Sequence, residues 1–166
     1  MSLILDGTNG VTFPNSTVQA SAGAILQVAQ GIKNTQTSTT STSYVTTGLT
    51  VSITPKFATS KILVTVTGQM GNSGSNNNLG INLVRNSTSI AVGDARGSTT
   101  QCMAGALNGS QSASSTFTIC YLDSPATTAS TTYTVQMSNE LNAGTFYFNP
   151  SGTATVATIT LMEIAA

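Results

Sequence analysis

Apolar and polar residues alternate over short stretches along most of this chain, the period of a strand with one buried and one wetted face. The clearest case is the run 61–67 (KILVTVT): beyond Leu63, the apolar Val64 and Val66 alternate with Thr65 and Thr67. Near the C-terminus Val156, Thr158, Thr160 and Met162 share one face. Ala157, Ile159, Leu161, Glu163 and Ile164 follow no single alternation. That mixture predicts burial on both sides, as in a central strand or one facing a subunit contact. The same reading places strands at 25–33, 44–46, 49–54, 61–70, 79–85, 89–92, 116–122, 131–137, 145–148 and 154–164. No stretch has helical period. Many short strands with turn signals between them predict an all-β fold, a jelly-roll-like antiparallel β-sandwich.

Turn chemistry divides the rest. Arg85 to Thr88 is a hairpin connection, with Asn86 suited to the left-handed conformation. Residues 34–43, 71–78, 97–115 and 124–130 are low-complexity and read as loops. The run 71–78 (GNSGSNNN) is the most polar of them. It suits a solvated tip, or a contact surface in which Asn76, Asn77 and Asn78 meet a ligand, because loops on a rigid sandwich often carry binding. Ahead of the sandwich, β pieces of two to four residues are separated by Asp6-Gly7, Asn9-Gly10 and Phe13-Pro14-Asn15, which are reversal signals. Such pieces are too short to stand alone. Residues 1–24 therefore read as a short N-terminal β-strand stalk or anchor ending in a small-residue linker, and residues 25–166 as the head. Leu3, Ile4, Leu5, Val11, Phe13 and Val18 are the candidate anchoring or interface residues.

Composition sharpens this picture. Only 6% of the chain is charged, against about 25% in an ordinary soluble domain, while Ser and Thr make up 51 of 166 residues. Charge repulsion cannot keep such a surface dispersed, which points to a chain that lives within a permanent assembly. The 39% hydrophobic content argues against disorder. Formal net charge is +0 and the ten charges are scattered singly, so there is no basic stripe for nucleic acid. The first residues lack the basic and apolar regions of a signal peptide, and no apolar run has membrane-spanning length, so neither secretion by that route nor membrane insertion is expected.

Candidate chemistry is sparse. With no His and no CxxC pair, Cys102 and Cys120 are not expected to bind a metal. They read as small buried residues, with a disulfide as the minor alternative. The absence of His also excludes Ser-His-Asp and Cys-His catalysis. Five acids, none paired in sequence, make a two-carboxylate glycosidase improbable, so no enzyme activity and no cofactor are expected. Asp94 near Arg96 reads as a local ion pair, and Asp123 beside Ser124-Pro125 as a turn-capping carboxylate. In Phe146-Tyr147-Phe148 the middle residue faces opposite to its neighbours. Tyr147 then serves in core or interface packing, or as a stacking platform for a sugar.

The order of segments resembles a family. The opening 3–23 (LILDGTNGVTFPNSTVQASAG) is similar to those of bacteriophage virion fibre and tail structural proteins, especially from phages of aquatic bacteria and cyanobacteria. The stretches 25–28 (ILQV), 48–55 (GLTVSITP), 59–64 (TSKILV) and 157–164 (ATITLMEI) look like the same proteins. The resemblance implies a homotrimeric, fibre-like or knob-like virion component with a head similar in shape to C1q and tumour-necrosis-factor modules. It implies a short fibre or tail appendage that contacts other virion proteins through its N-terminal segment and presents the head to the host, with a surface glycan as one ligand. A capsid decoration protein that stabilises the shell is the alternative. Either would be made in the bacterial cytoplasm and end in the virion.

Overall fold

The structure, a computed structural model, describes residues 4–6, 10–12, 18–19, 24–74, 77–94, 101–108, 114–140, 144–150, 152 and 155–165. Three short strands come first: β1 (Ile4–Asp6), β2 (Gly10–Thr12) and β3 (Val18–Gln19). They pair with one another as an antiparallel three-stranded sheet, with Leu5 opposite Val11 and Val18 opposite Thr12.

The remaining strands are β4 (Ile25–Lys33), β5 (Thr37–Thr39), β6 (Val45–Ile53), β7 (Lys61–Asn72), β8 (Asn77–Arg85), β9 (Thr88–Ile90), β10 (Ala104–Asn108), β11 (Ser114–Asp123), β12 (Thr131–Asn139), β13 (Phe146–Phe148) and β14 (Ala157–Ile164). They form two antiparallel sheets packed face to face, and the described residues contain no α-helix. In one sheet the long strands run β4-β14-β7-β11, with β13 and β5 extending it beyond the end of β14. The other runs β6-β12-β8-β10, with the short β9 also on β8. Numbered along the chain, the eight principal strands lie in the orders 1-8-3-6 and 2-7-4-5, the nested arrangement of a jelly roll. The all-β sandwich expected from the alternation is thus the observed fold.

Alternation decides what is buried. Ile62, Val64 and Val66 of β7 point inward with Ala157, Ile159 and Leu161 of β14, Leu79, Ile81 and Leu83 of β8, and Tyr133, Val135 and Met137 of β12. Phe148 packs against Phe117 with ring centroids 6.0 Å apart. β14 lies between β4 and β7, a central strand as expected, but it alternates cleanly instead of burying both sides: Ala157, Ile159, Leu161 and Glu163 are buried and Thr158, Thr160 and Met162 half-buried. The outward faces are coated with hydroxyls that bond across strands: Thr50 to Thr134 at 3.1 Å, Ser52 to Thr132 at 2.7 Å, and Thr67 to Thr158 at 2.9 Å. A hydroxyl both donates and accepts, so neighbouring Ser and Thr satisfy each other where other proteins use ion pairs.

The structure corrects the strand boundaries in three places. The expected strands at 44–46 and 49–54 are one strand, β6, interrupted by a bulge. Its register against β12 slips between Thr134 and Gln136, where Gly48 adopts φ 83° and Thr47 turns inward to donate to the Val135 carbonyl at 2.8 Å. The expected loops 34–43 and 97–115 contain β5 and β10, which are held by backbone ladders to β13 and β8. The Arg85 to Thr88 hairpin forms as expected, with Asn86 at φ 55°.

Candidate functional site

The head has two distinct ends. At the first, Ala165 N donates to Ala24 O at 2.9 Å, and Ile25 and Lys61 are both paired with Ile164, so the chain from residue 24 enters here. From Lys61, β7 runs its whole length to Asn72, about 40 Å at the rise of an extended strand. The turn from β7 to β8 and the connection from β12 to β13 meet at the far end. The polar run read as a candidate contact surface therefore lies opposite the point where the N-terminal segment joins.

At that tip, Ser73 N donates to Thr145 O at 3.1 Å and Thr145 N donates to Ser73 Oγ at 3.0 Å. Gly144 sits at φ 94°, so close to Gly74 that a β-carbon there would lie 2.7 Å from the Gly74 nitrogen. Asn139 is buried; its Nδ2 donates to Gly144 O at 2.8 Å and its backbone N donates to Ser41 O at 2.8 Å. Asn78 Nδ2 donates to the Glu140 carboxylate, and Glu140 N donates back to Asn78 O at 3.0 Å. The buried Asn72 carboxamide and Asn139 Oδ1 have no partner among the described residues. The tip is a braced polar end of the sandwich: Ser73 is exposed and Asn78, Glu140 and Thr145 are half-buried, while Asn72 and Asn139 are shut off from water.

Beside it lies a second polar cluster. Tyr44 OH donates to Gln101 O at 2.9 Å, in space left by Gly80, where a β-carbon would stand 2.9 Å from that hydroxyl and 2.8 Å from Ser138 Oγ. Burial pushes the Tyr44 phenol up to about 12, and the Cys102 and Glu140 charges reinforce it. Burial, and then the Glu140 charge, also raise the Cys102 thiol. A thiol kept protonated is a poor nucleophile. Among the described residues no group of three Asp, Glu, Cys or His side chains is arranged as metal ligands.

The sequence-predicted site residues do not form one site. Ile4, Leu5, Val11 and Val18 belong to the small N-terminal sheet, while Leu3, Phe13 and Asn76 lie outside the described residues. Asn77 and Asn78 begin β8. Tyr147, in β13, lies opposite Ser38 and Gly71 in the other sheet, half-buried and facing away from the buried Phe146 and Phe148. Tyr147 and Asn78 thus sit in different layers and do not converge.

The expectations about Cys102, Cys120 and Asp123 also need revision. Cys120 is exposed because Phe117 and Ile119 claim the inward positions of β11; it and the half-buried Cys102 are free thiols. Asp123 is no turn cap. It is buried, taking Arg85 Nη1 at 2.7 and 2.9 Å and the Tyr133 hydroxyl at 2.6 Å, and so ties the end of β11 to β8 and β12 across the sandwich. The pairing of Asp94 with Arg96 lies outside the described residues. Alternation along β11 already marked Cys120 as outward; no local signal marked the partners of Asp123.

No protein-family model matches the chain, and no curated protein matches it.

Proposed function

We propose that this chain is a structural protein of a phage virion: a short trimeric fibre or tail appendage that docks through its N-terminal segment and projects the β-sandwich head for host attachment. The observation that carries this reading is the polarity of the head. The N-terminal segment joins at one end, and the braced polar tip of Ser73, Asn78, Asn139 and Glu140 lies at the other. A module anchored at one end and polar at the other suits a part that presents a contact surface away from a particle. The hydroxylated, charge-poor surface suits a chain that functions within an assembly. On this reading the protein acts by binding, without a cofactor, and its ligand is a host surface glycan that meets the tip through hydrogen bonds.

A phage encoding the chain without residues 1–24 tests this. The expected result is virions that lack the protein on blots and in particle reconstructions while the separately expressed head remains folded. Incorporation of the truncated head at the normal level refutes docking through that segment. Density at the tail supports the appendage; density on the capsid lattice assigns the chain to shell decoration instead.

A further inference from the structure

We infer that the outward face of β4-β14-β7-β11 is the surface on which sister copies of this chain meet. The inference rests on the self-association contained in the proposed function and identifies the face that performs it.

Register builds this face row by row. Its middle row is Gln30, Thr160, Thr65 and Cys120, aligned across the four strands. The next row toward the entry end is Val28, Met162, Leu63 and Leu122. From Leu63 to Gly71 the outward positions of β7 and their cross-strand neighbours carry no charge.

The apolar exposure of the head is segregated. Of the seven exposed large apolar side chains among the described residues, Val28 (57% exposed), Ile32 (65%) and Leu122 (47%) stand on this face. Ile25 opens β4, and Val156 stands just ahead of β14. None stands on the outward faces of β6 or β12, which show Thr50, Ser52, Thr132 and Thr134 instead. Both sheets have the same alternation, but on only one of them do exposed large apolar side chains stand among the outward hydroxyls.

A second copy fits better than a foreign partner for three reasons. Beyond Lys61 at its entry end the face carries no charge by which a charged partner would be selected, whereas an uncharged, hydroxyl-and-methyl surface is complementary to itself. Its edge strand β4 follows directly from residues 1–24, so copies held together by their N-terminal segments bring these faces near one another. Its extent also contributes: four strands by nine residues cover about 19 Å by about 30 Å, on the order of 600 Å² before side-chain relief. A trimer divides this face between two neighbours, so it supplies part of the roughly 800 Å² per partner of a stable interface and the joined N-terminal segments supply the rest.

The test uses the full chain. Light scattering of the wild type is expected to give about three times the 16.9 kDa chain mass. Thr65→Lys with Thr160→Lys places two charges in the middle row and should reduce the mass to that of one chain, with an unchanged far-UV circular dichroism spectrum. Thr50→Lys with Thr134→Lys on the opposite sheet should leave the assembly intact. A second measurement needs no substitution: in the assembled wild type Cys120 should react with a maleimide at least tenfold more slowly than in urea-dissociated chains. A folded double-lysine variant that stays assembled, or a Cys120 as reactive in the assembly as in urea, overturns the face and leaves self-association standing. A wild type that is monomeric at micromolar concentration overturns self-association as well.

Discussion

Glu163 is the most informative residue to perturb, because a fully buried carboxylate ends a strand that otherwise buries only Ala157, Ile159 and Leu161. Its Oε1 accepts the Lys56 backbone N–H at 2.7 Å and its Oε2 accepts Gln27 Nε2 at 2.5 Å, so it pins the loop between β6 and β7 onto the entry end. Burial pushes the carboxyl upward, but hydrogen bonds, with Gln27 and the Lys56 backbone as the donors seen, outweigh it and hold the group below its ordinary range. Glu163→Gln keeps the shape but turns an amide NH₂ toward one of two donors. Gln27 cannot flip to meet it without losing its 2.7 Å bond to Thr54 O. Hydrogen bonds to a charged acceptor contribute about 1.5–3 kcal/mol each, so losing one and weakening the other should cost about 2–3 kcal/mol. For a domain of this size that corresponds to about 5–10 °C in Tm.

The pH dependence gives an independent check. A carboxyl held below its unfolded value adds stability at pH values above that value, and this is lost as pH falls through the folded pKa. The gap between wild type and Glu163→Gln should therefore be full at pH 7, start to close below about pH 5, and be small once Glu163 is protonated in the folded chain. Urea unfolding followed by far-UV circular dichroism, at one fixed chain concentration, measures it at both ends of that range. A gap below about 0.5 kcal/mol at pH 7, or one that persists undiminished in acid, refutes the reasoning.

Two further perturbations probe the packing. Arg85→Met leaves the buried Asp123 carboxylate with the Tyr133 hydroxyl but no cation; because Arg85 is itself partly solvated, the expected loss is about 2–3 kcal/mol, at or below the bottom of the range for a fully buried pair, and a thermal melt indistinguishable from wild type would dismiss the clamp. Gly31→Ala tests the closure of the sandwich where β4 passes β6: its β-carbon would fall 2.4 Å from the Thr50 carbonyl oxygen, so backbone must move at a cost of about 1–3 kcal/mol. Calorimetry showing an unchanged melting temperature would mean the two strands separate freely.

The strands most legible in the sequence are those whose own residues alternate. β4 lies where 25–33 was expected, and β7, β11 and β12 differ from expectation only at their ends. β5 was invisible because Thr37, Ser38 and Thr39 offer no apolar residue; a backbone ladder to β13 holds them, and backbone bonding is indifferent to side-chain type. β6 appeared broken because Gly48 stands at a bulge that only its partner strand explains. Cys120 was misread from the general tendency of cysteine to be buried, when the parity set by Phe117 and Ile119 turns it outward. The tip was partly legible in its asparagines, but its bracing by Glu140, Gly144 and Thr145 comes from a separate stretch of chain.

Period-two patterning and turn chemistry act between near neighbours, so the residues alone settled that the chain is a β-sandwich and which side chains line its core. Strand order and register act between residues far apart. They decided that Glu163 would find Gln27 and Lys56, that Asp123 would find Arg85, and that Val28 and Ile32 of β4 would share one sheet face with Leu122 of β11 while the polar tip formed opposite the N-terminal junction. Such neighbours come together only when the backbone ladder closes, because local alternation assigns each side chain a face without assigning it a partner.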